Sequence, residues 1–524
     1  MKTLIFAGGS GARVLEAVLH LCAAGLGPAN LRTFVIDPDD SNGNGDKTSK
    51  LVDRYLKCQE AFQMQHAAAS GNGAEAPPSF FGTRLDLLNH ENRLEIWRPV
   101  DPDQQFKDLL NFTGLSVVQR DVVRLLLTDE ELKMNMKRGF RGHPALGAAA
   151  LSLLPLYQND ELWAQFSTAI QQDLAQGEAK AVIVGSIFGG TGASAIHPLV
   201  RYLRKLPQQN NDKLKVAAVA LVPYFSFNSA DAGQEDIDEN ATAAQSEWFP
   251  LASRSAAEYY EHLQKHDDWQ FDALYWLGDD SPSRVRYSTG GPNQANPAHF
   301  IDLLAAFACL DFLAETPPGS TCYYAGPEES NPAGLNVLTW EDIPMNALKR
   351  NKVRTALQQF QLLGAAHLSF YHPLLTNEKL SRSPYCVPWY LDRFTGHDES
   401  LQGEQNQKNL ALLTNYFSQD YFHWWNEIHS VANDRVRLFN RMSWVVEDNA
   451  PVKIQRDRLA NLLYPDQATA HGLDPIDLLF GEMDRAAKTV SGADTLSKLY
   501  FSILAHASQE FVRKQAIGGK DGVA

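Results

Sequence analysis

Two glycine turns constrain this chain more than any other feature. The first, Ala7-Gly8-Gly9-Ser10-Gly11-Ala12-Arg13, follows the apolar run Thr3 to Ala7 and precedes a helical run from Val14 to Ala24. The second, Ser186-Ile187-Phe188-Gly189-Gly190-Thr191-Gly192-Ala193-Ser194, follows Ala181-Val182-Ile183-Val184-Gly185 and precedes a helical run over about 193–204. A strand that turns through glycines into a helix presents bare backbone N–H groups and a positive dipole end, which suits phosphate. The alternative for either turn is a tight structural bend. A dinucleotide fold needs only one such turn, whereas two on parallel strands can converge above one sheet edge, where open α/β sheets hold ligands. The pattern G-x-G-x-x-G is incomplete, because Val14 stands at its last glycine, and no G-x-x-x-x-G-K-[ST] occurs, which excludes a P-loop.

The elements between the turns support a parallel sheet. Leu31 to Asp37 reads as a strand ending in acid, which completes a βαβ opening. Residues 41–46 read as a loop, 47–66 as a helix and 67–79 as a surface insertion. Helical patterns fill about 103–130, 145–175 and 241–264; Val216 to Val222 and Phe271 to Leu277 read as strands, and 228–240 as a polar, acidic loop. Pro297 to Glu315 is apolar nearly all round, which predicts a helix buried between layers or domains. Beyond 316, short strands are expected near 320–325 and 335–340, then helices near 346–369, 405–430 and 474–514.

Composition narrows the classes. A chain of 524 residues exceeds one compact core. No apolar run reaches the roughly 18 residues of a membrane span. The first residues read as a buried strand rather than a secretion signal. Five scattered cysteines without a C-x-x-C pair fit a reducing, cytoplasmic setting. A formal charge of −15 argues against nucleic acid as a general partner.

Further segments fall into a recognisable order. Arg141-Gly142-His143-Pro144-Ala145-Leu146-Gly147 resembles the form Gly-x-Asn-Pro-Glu-x-Gly, and Leu221-Val222-Pro223-Tyr224-Phe225-Ser226-Phe227 the form Pro-Phe-x-Phe. Gly334-Leu335-Asn336-Val337-Leu338-Thr339-Trp340-Glu341-Asp342 resembles Gly-Leu-Ile-Asn-x-Asp-x-x-Asp. With the Gly-Gly-Thr-Gly core of the second turn, these segments resemble the tubulin/FtsZ superfamily over about residues 1–345, and within bacteria look closer to the divergent tubulin-like proteins than to the cell-division protein. Phe188 stands where the family usually has glycine, and Ala193-Ser194 where it has Ser/Thr-Gly. The insertion 46–138 and the tail after 346 depart from the family.

The resemblance implies a Rossmann-type GTPase domain over 1–296, a central helix over 297–315, and a second α+β domain with a helical C-terminal extension over 316–524. It implies GTP or GDP with Mg2+ held by Gly8, Gly9, Ser10, Gly11, Gly142, His143, Phe188, Gly189, Gly190, Thr191, Gly192 and Ser194. Asp37 and Asp39 end the second strand, where acids bind ribose or support hydrated Mg2+; a plain turn is the alternative. Asn293 and Asn296 open the central helix, where an amide reads guanine or simply caps. His143 has no clear counterpart in the family's motif; a phosphate contact is the alternative, and it reads first as a helix cap. Glu341 and Asp342 would act on the next subunit's nucleotide in a head-to-tail filament, although Leu338 fills the family's first acid position. An accessory protein could use the C-terminal helical part. The competing readings are a non-hydrolysing structural or regulatory tubulin relative and an NAD- or FAD-dependent oxidoreductase.

Overall fold

The computed structural model describes residues 1–39, 41–63, 79–89, 91–137, 139–140, 142–152, 160–206, 213–227, 246–266, 268–286, 288, 291–315, 329–330, 336–371, 393–394, 401–432, 435–439, 443–447, 452–455 and 475–518. Expectations for 67–78, 228–240 and 320–325, and the positions Arg141, Gly334 and Leu335, lie outside them. The chain divides into two units, one of 1–18, 28–53 and 84–323, the other of 19–27, 54–83 and 324–524.

The first unit is built on one sheet. Its strands are β1 (Lys2–Ala7), β2 (Asn30–Ile36), β3 (Arg84–Asp86), β4 (Ile96–Trp97), β5 (Ala179–Ser186), β6 (Leu214–Leu221) and, after the short β7 (Phe225–Ser226), β8 (Ala273–Leu277). The order is β3-β2-β1-β5-β6-β8, with β4 also on β2, and every pairing within it is parallel. The central strands are continuous apolar runs because both faces are covered; Leu4, Ile5, Phe6, Val182, Ile183, Val184 and Ala217 to Leu221 are fully buried. Helix α1 (Gly8–Ala23) carries the chain from β1 to β2, and α2 (Gly43–Phe62) leaves β2. Chain order therefore runs outward from β1 in one direction and from β5 in the other, so the topological switch point lies between β1 and β5.

The expected helix over 103–130 is a correction: it is three short helices, α3 (Phe106–Leu109), α4 (Val117–Leu126) and α5 (Asp129–Lys133). Asn111 at φ 49° breaks the first. Capping boxes, Ser116 with Gln119 and Thr128 with Glu131, start the other two. The run 145–175 likewise divides into α6 (Pro144–Leu151) and α7 (Glu161–Gln176), the latter started by Asp160, whose carboxylate accepts the Trp163 N–H at 2.9 Å. Helices α8 (Gly190–Lys205), α9 (Phe249–Lys265) and α10 (Phe300–Ala314) complete the unit, with the short strand β9 (Ser283–Arg284) beside β7. Phe34, Trp97, Trp163 and Phe166 stack at the heart of its core.

The second unit holds α11 (Ala347–Ala366), α12 (Glu404–Asn415), α13 (Phe422–Val431), α14 (Pro475–Thr489) and α15 (Leu496–Gly518), with two small antiparallel ribbons. A π-helical turn, Tyr416–Tyr421, joins α12 to α13. Tyr416, Phe417, Tyr421, Trp424 and Trp425 are buried, so this aromatic cluster is core. Among the described residues no helix is long and apolar enough to cross a membrane.

Candidate functional site

The two glycine turns leave the C-terminal ends of adjacent strands, with Ala7 paired to Gly185. Gly8 takes φ +71°, a conformation that favours glycine, and a β-carbon on it would lie 3.2 Å from the Thr191 Cβ. The turns therefore touch at the switch point, where open α/β sheets bind ligands. Gly192 has another role: a side chain there would run into the Ser186 backbone, so it lets α8 pack on β5. Ser194 is turned into its own helix. Its hydroxyl donates to the Gly190 carbonyl at 2.7 Å and approaches the Thr191 carbonyl at 3.0 Å, which directs it away from any ligand. The ring of Phe188 packs on Phe249.

Three further segments close a ring around the turns. A β-carbon on Gly9 would lie 2.9 Å from Asn44 Nδ2 and 3.0 Å from Asn42 Nδ2. Asn42 donates to Asp37 at 3.0 Å and to Gln294 at 3.1 Å. The Asn44 side-chain oxygen accepts the Asn296 N–H at 3.0 Å, and its N–H donates to the Gln294 carbonyl at 3.0 Å. Asp39 accepts the N–H of Gly291 at 2.7 Å and of Ser41 at 3.1 Å. On the far side, Gly139 lies against Asp39, and Gly190 against Phe140 and Gly142. The predicted Gly8, Gly9, Asp37, Asp39, Gly142, Gly190, Thr191 and Asn296 thus share one locus, with Asn293 exposed in the turn Gly291–Asn293 beside it. His143 caps α6 only by position; its ring pairs with Glu131 at 2.9 Å.

Sequence reasoning missed Asn42, Asn44 and Gln294. The only signal was the alternating Asn-Gly pattern after an acid-tipped strand. Asn44 is 2% exposed, and its Nδ2 has no hydrogen-bond partner among the described residues. A buried amide left unpaired costs about 1–3 kcal/mol. It lies beside Gly9 in the first glycine turn.

Beneath the ring, Arg13 is buried and donates to the Tyr224 hydroxyl at 2.7 Å, with Ser10 at 3.3 Å. Tyr224 donates to Asp302 at 2.7 Å, and Arg13 lies 3.4 Å from the same carboxylate. Burial opposes the Arg13 charge, but Tyr224 and Asp302 outweigh it, and its pKa stands above the ordinary value. Asp302 also accepts the His299 N–H at 3.0 Å, within the capping box that starts α10. Arg13 is therefore a strut between α1 and α10 rather than a phosphate ligand.

Burial pushes the Asp37 carboxyl up to about 7, helped by the Asp39 charge and opposed by the Asp39 N–H and the Asn42 amide. The folded protein then holds a proton that the unfolded chain releases near pH 4. Stability from this group is full below that pH and is lost as pH rises through about 7. Without nucleotide or metal, Asp37→Asn should flatten this slope. Urea midpoints between pH 5 and 7.5 measure it; parallel slopes in wild type and variant would mean that Asp37 is ionised throughout.

Glu341 and Asp342 belong to the second unit. Asp342 closes its own turn by accepting the Thr339 N–H at 2.6 Å and hydroxyl at 2.7 Å. Glu341 is exposed. Leu338 is buried between the backbones of Arg435 and Arg437.

A parallel sheet with facing glycine turns at its switch point defines a Rossmann-type α/β protein of the nucleotide-binding kind. A model of the tubulin-like family matches residues 4–279, more than half of the 524 in the chain, and the chain belongs to that family. No curated protein matches it.

Proposed function

We propose that the protein binds GTP at this ring, assembles head to tail, and hydrolyses GTP to GDP and phosphate. The observation that carries the binding step is the buried Asn44 Nδ2 beside Gly9, which has no hydrogen-bond partner among the described residues, at a point where two glycine turns meet. The N–H groups of Gly8 to Gly11 and Gly189 to Thr191 would hold the phosphates. The Asp37–Asp39 turn and the segment 291–296 would border the nucleoside. Mg2+, carried with the phosphates and supported by the acidic turn through water, would neutralise developing charge. The second glycine turn weighs against a dinucleotide-dependent oxidoreductase.

For hydrolysis, catalysis would rest on positioning and charge stabilisation, with an acid from the next subunit orienting water. Glu341 is the stronger candidate, because Asp342 is engaged in its own turn. A non-hydrolysing relative is the second reading, favoured by Leu338 at the first acid position.

Calorimetric titration with GTP tests binding; no heat above that of a mock titration would sink it. With GTP and Mg2+, a head-to-tail contact need not close, so fast-sedimenting species should form above a critical concentration. Glu341→Ala should keep monomer affinity, slow phosphate release about 10²-fold and lengthen filament life. Equal phosphate release in wild type and variant would leave Glu341 structural.

A further inference from the structure

Helix α9 ends with Glu258, His262 and His266 four residues apart, along one stripe of the helix. The two imidazoles stack with ring centroids 3.9 Å apart and 28° between their planes. His266 is the C-cap residue. Its N–H donates to the His262 carbonyl at 3.1 Å, and its Nδ1 lies 2.9 Å from the same oxygen. A carbonyl oxygen only accepts, so Nδ1 carries the proton and Nε2 presents its lone pair. That is the tautomer of a metal ligand: a histidine bound through Nε2 commonly donates Nδ1–H to a carbonyl, which fixes the ring and raises its basicity.

Position adds to chemistry. Both histidines sit at the C-terminal end of α9, where the last carbonyls carry partial negative charge and favour a cation. Both are exposed, so turning the His262 ring toward a shared ion disturbs no core packing and gives up only its stacking on His266. Tyr260 and Leu263, on the other side of the same turn, are buried in the core and hold the helix end in place. Glu258, the next carboxylate along the stripe, is an exposed partner of Arg254 at 2.9 Å. Such a surface pair is weak and exchanges readily. Among the described residues no group of three His, Cys, Asp or Glu side chains stands at metal-holding spacing, so a site here rests on two imidazoles.

We infer that His262 and His266 together chelate one divalent transition-metal ion, with water in the remaining positions. Imidazole pairs select Cu2+ over Ni2+ and Zn2+, and all three over the oxygen-seeking Mg2+ and Ca2+. The bound ion would tie the last turn of α9 to its cap, so the folded state gains stability from it. This site is separate from the nucleotide ring and independent of the function proposed for it.

The test uses the full chain without a histidine tag, titrated calorimetrically with Cu2+, Ni2+, Zn2+ and Mg2+. The wild type should take up one equivalent of Cu2+ that is absent from both His262→Ala and His266→Ala and retained by the control His506→Ala, whose histidine lies on α15 of the second unit. Electron paramagnetic resonance of that Cu2+ should show hyperfine coupling to two imidazole nitrogens. Circular dichroism would confirm that both variants keep their helices. If the wild type binds no such equivalent, or if either single variant keeps it, the site is overturned.

Discussion

Gly190→Arg should abolish guanine-nucleotide binding, and Asn44→Asp should weaken it about 10²-fold, or roughly 3 kcal/mol, the upper range for a charged hydrogen bond. A β-carbon on Gly190 already lies 2.9 Å from the Phe140 Cβ and 3.1 Å from the Gly142 nitrogen. An arginine must therefore enter the space above the turn or displace the 140–142 segment. Phe140 belongs to a small core with Phe106, Leu132, Met136 and Leu146, so the second outcome would also disturb folding. Asn44→Asp separates these effects. It keeps the size of the side chain and the oxygen that accepts the Asn296 N–H. At a pH high enough to ionise this buried carboxyl, it replaces the unpartnered donor with a negative charge near Asp37 and Asp39, which a phosphate would meet as repulsion. Calorimetry with GTP, beside thermal melts of each apo protein, gives the answer. Undiminished affinity in Asn44→Asp would remove that amide from the site. Undiminished affinity in both variants would remove the nucleotide from this ring altogether.

The legible part of the fold is the part set by local pattern. Apolar runs that enter glycines located β1, β5 and both turns, since only a parallel sheet with covered faces uses such runs. The pairing of Ala7 with Gly185, which brings Gly8 to Thr191, is a consequence of strand order and was foreseeable only as convergence. The helix boundaries near 103–130 were written in the sequence as capping boxes, Ser116-x-x-Gln119 and Thr128-x-x-Glu131, but apolar periodicity ran through them and masked the breaks. The Asn42–Gln294 and Asn44–Asn296 contacts join residues 252 apart. No spacing rule reports such a meeting. The side-chain direction of Ser194 was equally hidden, because a hydroxyl in a first helical turn serves a ligand or its own carbonyls with the same sequence.

Asp302→Ala should destabilise the first unit by about 3–5 kcal/mol, the cost of breaking a buried ion pair. Asp302 is fully buried and holds Tyr224, Arg13 and the His299 N–H at once. Its removal leaves the Arg13 guanidinium as a buried charge without a carboxylate, hydrogen-bonded to Tyr224 and Ser10 and lying 4.9 Å from the centre of the Phe225 ring. The start of α10 loses its capping carboxylate in the same step, worth about 1 kcal/mol more. Asp302→Asn should cost less, because the amide oxygen still accepts from Tyr224. Replacing Arg13 by Met together with Asp302 by Leu should recover much of the loss, since a well-packed apolar pair avoids the desolvation that the ions bear. The measurement is a denaturant-unfolding series on these proteins together with the single variants Arg13→Met and Asp302→Leu, so that wild type, both singles and the double close a double-mutant cycle. Additive costs in the cycle would show that Arg13 and Asp302 are not coupled.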